Sequence, residues 1–212
     1  MKKLILIRHG HSLLFEKNLT GGYTDESLSD LGRRQAHLTG KRLAKMVPDP
    51  SACGFFCSDL KRASETAKII GSYINLNPIE TSVLRDLNNG VAANKTKDEA
   101  KSLELPMNEP LMDWVPYPEA ESWRVFYTRV KDFMNFLRLK DFDVVIIVFH
   151  FSTNWNIVHW WFDLPENFLT MMGFKQDLCG IHVLSLGTWD IGHKVIIKIN
   201  STAHLENFDV RV

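Results

Sequence analysis

Two unbroken apolar runs, residues 4–7 and 144–149, constrain this chain more than any other feature. Neither shows the alternation of a strand with one wet face, so both read as strands buried on two sides, the arrangement found where helices cover both faces of a sheet. Stretches with helical spacing lie between them. Ser29-Asp30 caps a helix that carries Ala36, Leu43 and Val47 on one face and stops at Pro48. Residues 55–58 read as a second strand, followed at once by Ala63, Ala67, Ile70 and Ile74 at helical period. Residues 79–84 read as extended. Trp123, Phe126, Tyr127, Val130, Phe133, Met134 and Leu137 mark an amphipathic helix, and 152–162 another; 181–186 and 195–199 read as strands. Strands alternating with helices predict an α/β fold, a three-layer α/β/α sandwich around a mostly parallel sheet, with residues 1–212 forming one domain.

Between 88 and 121 the regular pattern breaks. Asn88-Asn89-Gly90 is a turn, 96–105 has the makings of a short helix, and Pro106, Pro110, Pro116 and Pro118 crowd the remainder. Leu111, Met112, Trp114 and Tyr117 are too apolar for a solvated linker, so this segment is expected to pack as a small cap or lid. Lys+Arg and Asp+Glu both number 25, a balance that gives no reason to expect nucleic acid or an anionic membrane as a partner. The apolar stretch after Lys2-Lys3 is shorter than the core of a signal peptide or a spanning helix, which predicts a cytoplasmic chain. Cys53, Cys57 and Cys179 form no disulfide framework and read as reduced thiols. Trp155, Trp160, Trp161 and Trp189 read as core rather than as a partner surface.

In open α/β sheets ligands bind beyond the carboxyl ends of the strands. At four such ends stand Arg8-His9-Gly10-His11-Ser12, Ser58-Asp59-Leu60-Lys61-Arg62, Arg85-Asp86 and His150-Phe151-Ser152. Each alone is a weak signal. Together they place two arginines, two histidines and an acid at one sheet edge.

These residues resemble the histidine phosphatase superfamily, also called phosphoglycerate mutase-like. Leu6-Ile7-Arg8-His9-Gly10 is similar to its fingerprint, residues 22–36 to its first loop and helix start, and 58–63 with Thr66-Ala67 to its second-arginine motif. Leu84-Arg85-Asp86 resembles the segment holding the acid, and Val148-Phe149-His150 the second histidine. The resemblance implies hydrolysis of a small-molecule phosphomonoester through a phosphohistidine on His9. Arg8, Arg62 and Ser12 would hold the phosphoryl oxygens, His150 would assist, and Asp86 would protonate the leaving oxygen and then activate water. Arg8, Arg62 and His150 already supply positive charge, so neither a metal nor another cofactor is expected. Three positions depart from the family pattern. Asp86 stands where Glu is usual, Phe15 where Asn is often found, and Phe151 where Gly usually follows the second histidine. Glu121-Ser122 resembles a Gly-Glu-Ser stretch near the family's site, with Ala120 in place of Gly.

Three other readings stay open. Mutases of the same superfamily transfer the phosphoryl group through the same histidine. His9-x-His11 after a first strand is also how some metal-dependent hydrolases begin their site, although His11 otherwise reads as an exposed neighbour. A non-catalytic phosphate-binding module is the third. Substrate identity and oligomeric state are not legible.

Overall fold

A computed structural model describes residues 1–187 and 192–206. The predicted strand at 4–7 is β1 (Lys3–Arg8), and a short helix α1 (Leu13–Glu16) follows it. Next come α2 (Asp30–Met46), β2 (Cys53–Ser58), α3 (Lys61–Ile74) and a three-residue β3 (Ile79–Thr81). A short helix α4 (Lys97–Ser102) lies in the irregular stretch; then come α5 (Trp123–Arg138), β4 (Val144–Phe149) and α6 (Phe151–Phe162). The chain closes with β5 (Ile181–Leu186) and β6 (Lys194–Ser201).

The six strands form one sheet in the order β3-β2-β4-β1-β5-β6. The three pairings among β1 to β4 are parallel, and β5 and β6 add an antiparallel edge. Alternation along β1 explains the layers. Ile5 and Ile7 pack with Leu43 of α2 and Ala63, Ala67 and Ile70 of α3 on one face. Leu4 and Leu6 pack with Phe126 and Val130 of α5 and Ile157 of α6 on the other. Both faces are dry, which is why these strands carry no polar alternation. Trp160 and Trp161 are buried in the second layer, as expected, and Trp155 is half-buried against Trp123. Trp189 lies outside the described residues.

Two predicted elements need correction. The extended segment expected over 79–84 ends at Thr81, whose hydroxyl accepts from the Val83 N–H and starts a 3₁₀ turn over Ser82–Leu84. The last strand is longer than the expected 195–199, and α1 was not anticipated at all: four residues are too few to show a period.

The 88–121 segment packs rather than floats. Ala92, Ala100 and Met112 are buried. Its two ends are closed at the base by an Asn89–Ala120 bridge, the Val91 N–H to Pro118 carbonyl bond and the Glu121 N–H to Asn88 carbonyl bond.

The start of α2 is pressed against the loop after β1. Ser29 caps it, accepting from the Gly32 N–H, and a Cβ on Gly32 would overlap the His11 carbonyl. Backbone against backbone leaves nothing flexible to give way. Gly32→Ala is therefore expected to destabilise the fold by about 1–3 kcal/mol, the usual cost of overpacking. In a thermal melt that is a drop of roughly 3–10 °C; an unchanged midpoint would show that the loop and helix are not held in this contact.

Candidate active site

Arg8 at the end of β1 is paired with Phe149 at the end of β4, so the next residues, His9 and His150, emerge side by side. α2, which follows β1 after the short α1, covers one face of the sheet, and α6, which follows β4, covers the other. A crevice at such a divergence is where open α/β sheets bind ligands. The two imidazoles lie with ring centroids 5.2 Å apart.

Four of the six residues singled out in the sequence share one wall. A cavity of about 210 Å³ is lined by Arg8, His9, Arg62 and Asp86, and an adjoining one of about 410 Å³ shares Arg8 and Asp86 with it. His150 is fully buried next to His9 and is in neither wall. Ser12 is also fully buried outside both walls, and its hydroxyl oxygen has no partner among the described residues.

The state of His9 follows from its partners. Its Nδ1 is 2.7 Å from the Gly10 carbonyl oxygen, and Arg62 Nε donates to its Nε2 at 3.3 Å. A carbonyl only accepts and a guanidinium only donates, so the proton sits on Nδ1 and Nε2 presents a lone pair. Burial, with Arg62 and Arg8 close by, pushes the His9 pKa well below its ordinary value, so the ring is neutral at pH 7. His150 is held neutral by burial and the same two cations. Its Nε2 is 2.9 Å from the Ser58 hydroxyl, and its Nδ1 has no partner.

Arg62 is almost completely buried, yet it stays charged at pH 7: burial lowers its pKa to about 10, against the pull of Asp86 and Asp25. Besides the bond to His9, Nη1 donates to the Thr24 carbonyl at 2.6 Å and Nη2 to the Gly22 carbonyl at 2.9 Å. Five N–H donors less three leave two for a ligand. Gly22 has φ +58°, and a Cβ there would overlap the Asn89 side chain, so the loop that anchors Arg62 needs glycine at this point. Arg8 donates to the Gln176 carbonyl at 2.9 Å, while its Nε is buried without a partner. Its guanidinium lies 5.1 Å from the centre of the Phe151 ring. The phenylalanine that departs from the family's usual glycine thus gives Arg8 an aromatic face to rest on.

Asp86 has its carboxyl pKa raised by burial, which outweighs the opposing pull of Arg62 and Arg8 and the hydrogen bonds from the Leu87 N–H and Ser152. Its Oδ1 has no partner. Neighbouring Arg85 pairs with Asp59 instead, with two bonds of 2.7 Å. The main chain around Asp86 is held by Arg129 of α5, which donates to the carbonyls of Val83, Arg85 and Asp86 at 2.6, 3.0 and 2.7 Å. Glu121 accepts from Arg129 and from the Asn88 N–H, so the resemblance at Glu121-Ser122 marks a brace behind the acid. Arg129 itself was missed: on an amphipathic helix it looks like any exposed cation. Thr66, which accepts from the Gly10 N–H, and Ser58 lay inside the recognised motif without an assigned task.

His11 is corrected. It is buried, not exposed, with Nδ1 2.7 Å from the Ser29 hydroxyl and its backbone N–H donating to Gln35, and its ring stacks on Phe15. Among the described residues no three His, Cys, Asp or Glu side chains are grouped so as to hold a metal ion.

A family model described as the histidine phosphatase superfamily (branch 1) matches residues 4–202. Relatives named "Probable phosphoglycerate mutase GpmB" from Yersinia pestis and Yersinia pseudotuberculosis are 32% identical over 124 residues, which is 58% of this chain and 48% of theirs. The match thus spans about half the length of those relatives. Among solved structures, the alpha-ribazole phosphatase from Shigella flexneri superposes with a TM-score of 0.76 at 19% identity, over 94% of this chain and 96% of that one. A mycobacterial glucosyl-3-phosphoglycerate phosphatase gives 0.76 at 21%, over 95% and 99%. A phosphoserine phosphatase from Entamoeba histolytica gives 0.73 at 21%, over 97% and 100%. At these identities the likeness is one of fold.

Proposed function

Because this chain belongs to the histidine phosphatase superfamily, we propose that it hydrolyses small phosphomonoesters through a phosphohistidine on His9. The observation that carries this reading is the locked imidazole: Nδ1 protonated against the Gly10 carbonyl, Nε2 carrying the lone pair and turned toward Arg62, the ring neutral at pH 7. In the first step Nε2 bonds to phosphorus, the P–O bond to the alcohol breaks, and the leaving oxygen takes the proton of Asp86. In the second, water attacks the phosphohistidine, Asp86 takes the water's proton, and inorganic phosphate departs. Charge accumulates on the equatorial phosphoryl oxygens, and the two free N–H groups of Arg62 and the unpartnered Nε of Arg8 are the groups available to meet it, with His150 packed behind His9. The α6 helix begins without a side-chain cap, and its first residues, Phe151 and Ser152, line the larger cavity, so its free N–H groups add to this end. On this reading residues 1–212 are one catalytic domain with 88–121 as its lid.

The test is to mix the protein with a labelled phosphomonoester in chelator, quench, and digest. A label on His9 that is labile to acid and stable to alkali, with unchanged turnover, is the expected result. Label on Ser or Asp sinks the mechanism. Activity lost on chelation and restored by zinc or manganese would indicate a metal-dependent hydrolase. Transfer to a phosphoglycerate acceptor in preference to water would make the chain a mutase, and phosphate binding without turnover a non-catalytic module.

A further inference from the structure

The smaller cavity is lined by two kinds of residue. Beside the reactive set already described stand Leu14, Phe15, Leu19 and Phe151, the last against Arg8, and one lysine, Lys97. Leu14 and Phe15 come from α1 and Leu19 from the loop after it, so this cavity offers an alcohol leaving from phosphorus a hydrocarbon surface. Phe15, 44% exposed, extends that surface to the rim.

Lys97 differs from the other lysines near this mouth. Lys17 is spent on Glu26 at 2.6 Å and Lys61 lies 3.6 Å from Asp25, whereas Lys97 has no carboxylate partner among the described residues. Nor is its place accidental. Its N–H donates to the Asn18 carbonyl, and Leu19 and Thr96 form an antiparallel bridge. A capping box at Thr96, in which Glu99 bonds back to the Thr96 N–H, fixes the same turn. The base of Lys97 is therefore pinned to the loop that supplies the apolar wall. A lysine that lines a largely apolar cavity from a fixed main chain, with no acid of its own among the described residues, suits an anion delivered by the ligand.

We propose that Lys97 is a specificity-determining residue that pairs with a carboxylate at the far end of an apolar leaving group, so that the substrate class is the phosphate monoester of a hydrophobic hydroxy acid. This rests on the phosphatase reading and narrows it. Two esters test it: the phosphate of 4-ethylphenol and that of 3-(4-hydroxyphenyl)propionic acid. Their phenols are of similar basicity, so demand on the general acid is matched and the difference lies in the distal carboxylate. The acid-bearing ester is expected to have the higher kcat/KM by roughly fivefold, about what one solvent-accessible ion pair supplies, with the advantage shrinking as salt is raised. In Lys97→Met the ratio of the two esters falls toward one, through KM rather than kcat, and in Lys97→Glu it drops below one. The ratio is measured within each variant, so partial misfolding does not obscure it. A ratio near one in the wild type, or one that Lys97→Met leaves unaltered, overturns the assignment while the phosphatase reading stands. If neither ester is turned over or labels His9, and no other phosphomonoester does, both fail together.

Discussion

His9→Ala is expected to lower turnover by on the order of 10⁴-fold or more, because on the proposed mechanism it deletes the atom that bonds to phosphorus and leaves water to attack unaided. The fold is expected to survive. The His9 side chain reaches Gly10 and Arg62, and Arg62 keeps its bonds to the Thr24 and Gly22 carbonyls when the imidazole is gone. A circular-dichroism melt within a few degrees of wild type, beside loss of phosphate release and of the acid-labile label, is the combined outcome. Residual turnover above a few per cent would mean that the phosphoryl group never passes through this ring.

The second large effect belongs to Asp86, and it depends on the leaving group. An alkyl phosphate expels a strongly basic alkoxide and needs a proton, so Asp86→Ala should cost about 10²–10⁴-fold in the phosphorylation step. A nitrophenyl phosphate expels a weak base, and its burst should fall far less, although the steady state drops if the carboxylate also activates water. The pH profile carries the same information. The free enzyme is competent when His9 is neutral and Asp86 protonated. Burial lowers the first pKa and raises the second, so His9 stays neutral to lower pH and Asp86 stays protonated to higher pH, and the share of enzyme meeting both conditions grows. Alkyl-ester kcat/KM is therefore expected to decline as pH rises through the elevated Asp86 value, and Asp86→Ala to lose that alkaline limb. Equal losses on both substrates in the burst would make Asp86 structural and place the acid elsewhere.

What could be read from the sequence divides along physical lines. The β1 and β4 runs were legible because a strand dry on both faces admits nothing polar, and Ser29 and Pro48 because helix ends demand particular side chains. The convergence of Arg8, His9, Arg62 and Asp86 on one cavity was legible because all four lie in the sequence at or just beyond segments that read as strands. What escaped were partners chosen by main-chain geometry. Arg62 is anchored by two carbonyls, Arg8 by the carbonyl of Gln176, and Asp86 by an arginine that grips three carbonyls; every residue has a carbonyl, so no residue type announces such a contact. His11 escaped for a related reason. It looked exposed beside His9 because nothing local shows that Ser29 and Gln35, well downstream, close over it.

The carbonyls that anchor Arg62 sit in a loop that is also stitched to the 88–121 segment. The Tyr23 N–H donates to the Asn89 side chain, the Thr20 hydroxyl to the Ala92 carbonyl, and the Asn94 N–H to the Thr24 hydroxyl. On the proposed mechanism, selectivity for the alcohol and grip on the phosphate are thereby carried by one mechanical unit. A lid transplanted from a relative would arrive without its matching stitches and would slacken Arg62 as well as change the mouth. Divergence toward new substrates in this scaffold must therefore move loop and lid as a pair, or settle for changes at side chains, such as Phe15 and Lys97, that the stitching does not use.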